Sequence, residues 1–297
     1  MIKMKPFKII CDSACDLPKD LVAKYDIDVV SFYVSLDDQN YYKEQEKNTQ
    51  DFYQELVDHP NQYPKTSMPT VEEYFNAFEQ YIKKEIPVIC ICITSKMSGS
   101  YNGAMLAKQD ILEKYPHAKI AVIDSSLITV IEGMLVLELA RMRENHLSFE
   151  ETIEKIENIK HTGKIYFTIA SMDYLAHGGR IGRLKSILGT ILKIKPIIVF
   201  KNGEIDSAGI ALTRNKSLTK VIECVKQFFK KNLLKYSDYL FGIGYGYKKD
   251  EAENFAKQVK EELALKENVF FFQIGSTIAV HTGPHPIGIT FLKKYDV

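Results

Sequence analysis

Four clusters in this sequence carry the hydroxyls, cations and glycines from which a ligand site could be built. They are Pro64-Lys65-Thr66-Ser67-Met68-Pro69-Thr70, Thr94-Ser95-Lys96-Met97-Ser98-Gly99-Ser100-Tyr101-Asn102, His177-Gly178-Gly179-Arg180-Ile181-Gly182-Arg183 and Ala279-Val280-His281-Thr282-Gly283-Pro284-His285-Pro286. The second follows an apolar run and precedes a helical pattern, so its hydroxyls and the N–H groups of the helix start suit an anion. In the third, two glycines let the backbone turn sharply and present Arg180. Each cluster also has a structural reading: a loop with a helix cap around Thr66, N-capping by Ser98, a solvated basic turn at Arg180, and a structural histidine at position 281.

Charge distribution favours the ligand reading. The chain has 297 residues with 39 Lys plus Arg against 38 Asp plus Glu, a balance that argues against nucleic acid as a partner. The average hides uneven placement. The segments 174–203, 268–295, 86–109 and 59–71 contain no Asp or Glu, and each holds one cluster. From 174 to 203 there are six basic residues, Arg180, Arg183, Lys185, Lys193, Lys195 and Lys201. Brought together, the clusters would favour one anionic group.

Familiar catalytic spacings are missing. The sequence has no G-x-x-x-x-G-K-[ST], H-E-x-x-H or G-x-S-x-G, and Gly242-Ile243-Gly244-Tyr245-Gly246 lacks the third glycine of a dinucleotide loop. The five cysteines, among them Cys11/Cys15 and Cys90/Cys92, lack zinc-ligand spacing and read as free thiols of a reducing cytosol. No apolar run is long enough to span a bilayer, and the N-terminus lacks the apolar core of a signal peptide. A cytoplasmic protein without metal or cofactor is expected.

The elements that must position these clusters read as α/β. Predicted strands at Lys8–Cys11, Val29–Val34, Val88–Ile93 and Lys119–Ile123 alternate with helices, the pattern of a mostly parallel sheet. Thr70 and Glu73 form a capping box for a helix to about Ile82; further helices run from near Ser98 to Tyr115, from about Ser126 to Arg143, and from the Ser148 N-cap to Lys160. A domain boundary is expected near residue 162, giving domains 1–162 and 163–297. The second part reads as a strand (Ile165–Ala170), a helix to about Leu192, a strand (Ile197–Phe200) turning at Asn202-Gly203, a helix (Lys216–Lys230), a strand (Leu240–Gly244), a helix (Asp250–Leu265) and late strands Val269–Gln273 and Ile278–His281. A mixed sheet is expected there.

Six stretches in this order resemble the DegV family of bacterial fatty acid-binding proteins: Asp12-Ser13-Ala14-Cys15-Asp16-Leu17-Pro18, Lys65-Thr66-Ser67-Met68-Pro69, Ser95 through Asn102, Gly178-Gly179-Arg180-Ile181, Leu192-Lys193-Ile194-Lys195-Pro196 and His281-Thr282-Gly283-Pro284. The resemblance covers essentially the whole chain and implies two α/β domains with a lipid pocket between them. It implies that Thr66 and Ser98 hydrogen-bond the carboxylate of a long-chain fatty acid, with Ser95 a second candidate. Arg180 and His281 would lie at the carboxyl end of the pocket or contact a partner. It further implies a carrier that presents its lipid to a separate ATP-dependent fatty acid kinase, which makes an acyl phosphate, with transient membrane contact for lipid exchange. The family commonly continues His-x-Gly-Pro-Gly, whereas this chain has His285 and Pro286 after Pro284, and Thr94 stands where serine is common. Two other readings remain: a sensor of small carboxylates or lipids without a kinase, and a serine acyl hydrolase using Ser98 with His281 as base, for which the fold could bring Asp124 close.

Overall fold

The computed structural model describes residues 7–182, 184 and 194–297. Strands β1 (Lys8–Asp12), β2 (Ile27–Val30), β6 (Val88–Cys92) and β7 (Ile120–Asp124) form a parallel sheet in the order β2-β1-β6-β7. β1 and β6 are buried throughout, as continuous apolar runs require in a sheet covered on both faces. The predicted strand Val29–Val34 is two: β2 ends at Val30, and β3 (Tyr33–Ser35) joins a small antiparallel sheet with β4 (Tyr42–Lys43) and β5 (Lys65–Ser67).

Helices α1 (Lys19–Lys24) and α2 (Thr49–Asp58) add to the predicted elements, whereas α3 (Val71–Ile82), α4 (Ser100–Lys114), α5 (Thr129–Glu144) and α6 (Phe149–Ile159) match them. The capping boxes Thr70/Glu73 and Ser148/Glu151 are both formed. α4 starts two residues after Ser98; Gly99 is its N-cap, and Ser98 Oγ accepts from the Ser100 N–H at 3.2 Å in a turn just before it.

In the C-terminal part, β8 (Lys164–Thr168), β9 (Lys195–Lys201), β10 (Glu204–Ala211), β11 (Tyr239–Tyr245), β12 (Phe270–Gln273) and β13 (Ile287–Lys293) form a mixed sheet in the order β10-β9-β8-β13-β11-β12. The Asn202-Gly203 turn pairs β9 and β10 antiparallel, both residues taking positive φ (54° and 79°). Helix α7 (Asp173–His177) follows β8, and α8 (Arg214–Lys231) and α9 (Lys249–Glu262) pack on the outer face of the sheet. The predicted helix to Leu192, with Arg183, Lys185, Leu192 and Lys193, falls mainly outside the described residues.

Two corrections concern the last quarter of the chain. Ile278–His281 is not a strand but part of helix α10 (Ser276–Thr282). A short run of β-branched apolar residues cannot distinguish a buried helix from a strand, and here the deciding contacts are distant in sequence. Glu44 accepts from the Thr277 N–H (2.8 Å), Thr277 Oγ1 (2.7 Å) and Ser276 Oγ (3.2 Å), while Asp16 accepts from the Gly275 N–H (2.9 Å) and from Thr129 Oγ1. Carboxylates at these N–H groups satisfy the helix start, and Gly283 ends the helix at φ 71°. The second correction is β13, which the sequence reading omitted. It lies between β8 and β11 and is buried on both faces, so no polar alternation marks it.

Both parts share one apolar core. α5 packs on the 3-10 turn after β1 and on β11 and β13, so Ile131 and Met134 lie in the same cluster as Phe167, Ile198 and Leu292. The glycines of β11 make this approach possible: a Cβ on Gly242 would lie 2.9 Å from Met134 Sδ, and one on Gly244 3.0 Å from Val130 Cγ2. Close packing on a helix therefore explains the glycine-rich stretch.

Candidate ligand site

All four sequence clusters reach one cavity. Thr66 is on β5, Ser98 in the loop between β6 and α4, Arg180 just after α7, and His281 in the last turn of α10. The cavity, about 150 Å³, is lined by these four residues together with Phe32, Met68, Ile93, Met97, Gly99, Ile128, Phe167, Leu175, Ile205, Thr277, Ile278 and Thr282. No Asp or Glu is among these residues. Ile128, Phe167, Ile278 and Thr282 are shared with a second cavity of about 40 Å³, whose remaining walls are Thr129, Val130, Ile165, Gly244, Ile274, Pro286, Ile287, Gly288 and Thr290. The first cavity thus carries hydroxyls, an imidazole and an arginine in its walls, and the adjoining one is almost wholly apolar.

The polar end is held by three acids, Asp12, Asp16 and Glu44, to which the sequence alone assigns no role. Asp12, at the end of β1, accepts from the Ile93 N–H (3.0 Å), Ser100 Oγ (2.7 Å) and the Ala14 N–H (3.2 Å), tying the strand end to the start of α4 and thereby fixing the Ser98 loop. Burial pushes the Asp12 carboxyl up to about 6, with these hydrogen bonds acting in the opposite direction. Asp16 and Glu44 fix the other end of α10, the helix that carries His281. The phrase Asp12-Ser13-Ala14-Cys15-Asp16 holds two of these three acids, whereas nothing local marks Glu44.

His281 Nε2 lies 3.4 Å from Thr66 Oγ1, and Nδ1 is enclosed without a hydrogen-bond partner among the described residues. Part of the residue reaches solvent, but burial of the ring, with Arg180 and Lys65 nearby, lowers its pKa to about 4, so the imidazole is neutral at pH 7. Gly178 makes room for it: a Cβ there would stand 2.2 Å from Nδ1. Gly283 is required twice, by its positive φ and because a Cβ would meet the Tyr174 ring at 2.6 Å. Arg180 is exposed at the rim, donating from Nε to the Met97 carbonyl (3.2 Å) and from Nη1 to that of Gly178 (2.8 Å), so it bridges the Ser98 loop to the turn after α7.

Other candidates fall away from this cavity. Ser95 is exposed and engaged with Asp124, donating from Oγ at 2.5 Å and from N at 3.3 Å. Asp124 thus partners Ser95 and the Ser126 N–H, not His281. His285 does not line the cavity but packs edge-on against Tyr247, while Pro286 borders the deep end. All five cysteines are free thiols, and the described residues contain no cluster of three or more metal-ligating side chains. No helix among them is long and apolar enough to cross a membrane.

This arrangement defines an α/β protein with a carboxylate-free cavity of hydroxyls, a histidine and an arginine beside a second, almost wholly apolar one. The family model described as "Uncharacterised protein, DegV family" matches residues 6–294, and the chain belongs to the DegV family. It is similar to a DegV domain-containing protein of Clostridium perfringens, with 33% identity covering 97% of this chain and 99% of the relative. Among solved structures, it is similar to a stearic acid-binding protein from Eubacterium ventriosum, with 40% identity, a TM-score of 0.94 and coverage of 98% and 99%. It is also similar to a fatty acid-binding DegV family protein from Thermus thermophilus, with 25% identity, a TM-score of 0.88 and coverage of 97% and 99%.

Proposed function

We propose that this protein binds a long-chain fatty acid, with its carboxylate at Thr66 and Ser98 and its tail in the cavity beyond Ile128, Phe167 and Ile278. The observation that carries this reading is the two-ended lining: hydroxyls, a neutral imidazole and an exposed arginine at one end, and apolar walls with no carboxylate beyond it. The fatty acids bound by the E. ventriosum and T. thermophilus relatives support it.

The energetics divide the work. A sixteen-carbon acid carries about fourteen methylenes, and at ~0.8 kcal/mol each their burial contributes on the order of 11 kcal/mol before ordering costs. A hydrogen bond to the charged head contributes roughly 1.5–3 kcal/mol. The tail sets affinity, and Thr66 and Ser98 set orientation.

The polar end opens beside exposed Arg180, so the lipid is presented carboxylate-first to a separate ATP-dependent fatty acid kinase, with phosphoryl transfer carried out on that partner. On this reading residues 1–162 and 163–297 act as two α/β domains enclosing the lipid, the protein works in the cytoplasm without a cofactor, and it touches membranes only transiently to exchange cargo. The apolar walls beyond Ile128, Phe167 and Ile278 favour an acyl chain over a small carboxylate. A hydrolase would need Ser98 activated by His281, yet His281 pairs with Thr66 and its Nδ1 lacks an orienting group among the described residues.

Denaturing mass spectrometry of organic extracts from the purified protein, run beside an ester-hydrolysis assay, tests the proposal. It predicts a stoichiometric long-chain acid and no hydrolysis; a ligand-free, hydrolytically active preparation would overturn it. Phosphorylation of the loaded lipid by a kinase separates carrier from sensor.

A further inference from the structure

One side chain that forms no part of the cavity wall fixes where the Ser98 hydroxyl stands. Asp12 is absent from the lining of the ligand cavity and is fully buried. Its Oδ2 accepts from both the Ile93 N–H and Ser100 Oγ. A single carboxylate oxygen therefore joins the residue just after β6 to the first residue of α4, across the loop 94–99 that contains Ser98. Ser100 is held from α3 as well, its Oγ lying 2.6 Å from the Tyr74 hydroxyl. An ionised carboxylate can only accept, so Ser100 gives its proton to Asp12 and takes one from Tyr74.

The contacts continue to the ligand hydroxyl. The Ser100 N–H donates to Ser98 Oγ at 3.2 Å, and the Ser98 N–H donates to the Thr94 carbonyl at 3.2 Å. With its Oγ accepting from that N–H, Ser98 has its own proton to give to a carboxylate. A buried carboxylate is costly without donors to meet it. An apolar side chain would fill the place of Asp12 without that cost, but it could not fasten both ends of the loop to one atom.

We infer that Asp12 is the positioning residue for the ligand's head group: by fastening both ends of the 94–99 loop it keeps Ser98 placed as a donor, and so sets the preference for a carboxylate over a neutral head group. The inference rests on the fatty acid reading above and assigns the selectivity of that site to a residue outside it. Charge-assisted hydrogen bonds are about twice as strong as neutral ones and weaken steeply when misaligned, so a displaced Ser98 loses more with an acid than with an alcohol of the same chain.

The test is displacement of a fluorescent fatty acid from the protein by palmitate and by hexadecanol, which share a tail length and differ in the head. In Asp12→Asn, where an amide N–H₂ or a single amide oxygen must replace two accepting oxygens, the palmitate-over-hexadecanol ratio should fall about tenfold, equivalent to ~1.4 kcal/mol, with hexadecanol binding as in wild type. Ser100→Ala is the second variant, and it serves equally if Asp12→Asn does not fold. It keeps the backbone N–H that touches Ser98 and removes only the tie to Asp12 and Tyr74, so a fall in the same ratio reports position and not a lost contact. The inference is overturned if a folded variant keeps the wild-type ratio, or if it loses affinity for both lipids equally, which would show a general loosening of the fold. A wild type that binds neither lipid, or both alike, would instead remove the fatty acid reading or its head-group placement.

Discussion

Lowering the pH should cost the ligand-free protein stability through His281 in particular. The ring is neutral and enclosed, with burial the largest cause of its lowered pKa and the Arg180 and Lys65 charges adding to it, so its pKa in the folded state is about 4 against an ordinary 6.5. As the pH falls, the unfolded chain takes up the proton first. The stability that the neutral ring allows is thus fully present above about pH 6.5 and is lost progressively toward pH 4. At ~1.36 kcal/mol per pH unit, the ceiling is on the order of 3 kcal/mol, and roughly 2 kcal/mol is already lost at pH 5. Other buried groups titrate too: Asp12, Asp16 and Glu132 have raised pKa values and act in the opposite sense, and His285 is lowered by burial. The assay therefore compares wild type with His281→Gln by urea denaturation at pH 7.5 and pH 5, so that the shared groups cancel. Wild type should lose about 2 kcal/mol more than the variant. Bound fatty acid should shrink that gap, because a carboxylate beside the ring offsets the two cations. Equal pH dependence in the two proteins would refute the description of His281 as an enclosed neutral base.

Three further outcomes follow from the same geometry. Ser98→Ala and Thr66→Val should each weaken fatty acid binding by ~1.5–3 kcal/mol, well short of abolishing it, and impair phosphate transfer from a kinase more than binding, because a loosely held carboxylate is a poorly placed nucleophile; titration calorimetry paired with a kinase assay would contradict this division if both losses were equal. Gly178→Ala puts a methyl 2.2 Å from His281 Nδ1 and must displace the ring, so histidine NMR shifts and head-group affinity should change together, and an unmoved ring would count against the packing described. Glu44→Ala leaves the Thr277 N–H and two hydroxyls of α10 without their acceptor and should cost on the order of 2–4 kcal/mol in thermal or chemical denaturation; a loss below 1 kcal/mol would show that the helix start does not depend on it.

Much of the framework was legible locally. Capping residues mark α3 and α6, continuous apolar runs mark β1 and β6, and Asn202-Gly203 marks the β9–β10 hairpin, because each of these signals acts over a few residues. What escaped depends on contacts far apart in the chain. α10 resembles a strand until Asp16 and Glu44, more than two hundred residues earlier, supply its N-terminal acceptors. β13 has no alternation because helices cover both its faces, and β3, β4 and β5 are only two or three residues long, too short for a periodic signal. The candidate site was visible as hydroxyls, glycines and cations in segments lacking acids, and the cavity those segments line is likewise free of carboxylates. Ser95 showed the limit of that reasoning. It shares the Ser98 loop, yet its side chain turns outward to Asp124, a direction that spacing alone does not set.

The most direct test of the account is a crystal structure of the protein bound to stearate. It should place the carboxylate within hydrogen-bonding distance of Thr66 Oγ1 and Ser98 Oγ, with the carbon chain running between Ile128, Phe167 and Ile278 toward Thr290. A carboxylate at the Thr290 end, or a lipid lying outside this cavity, would contradict it.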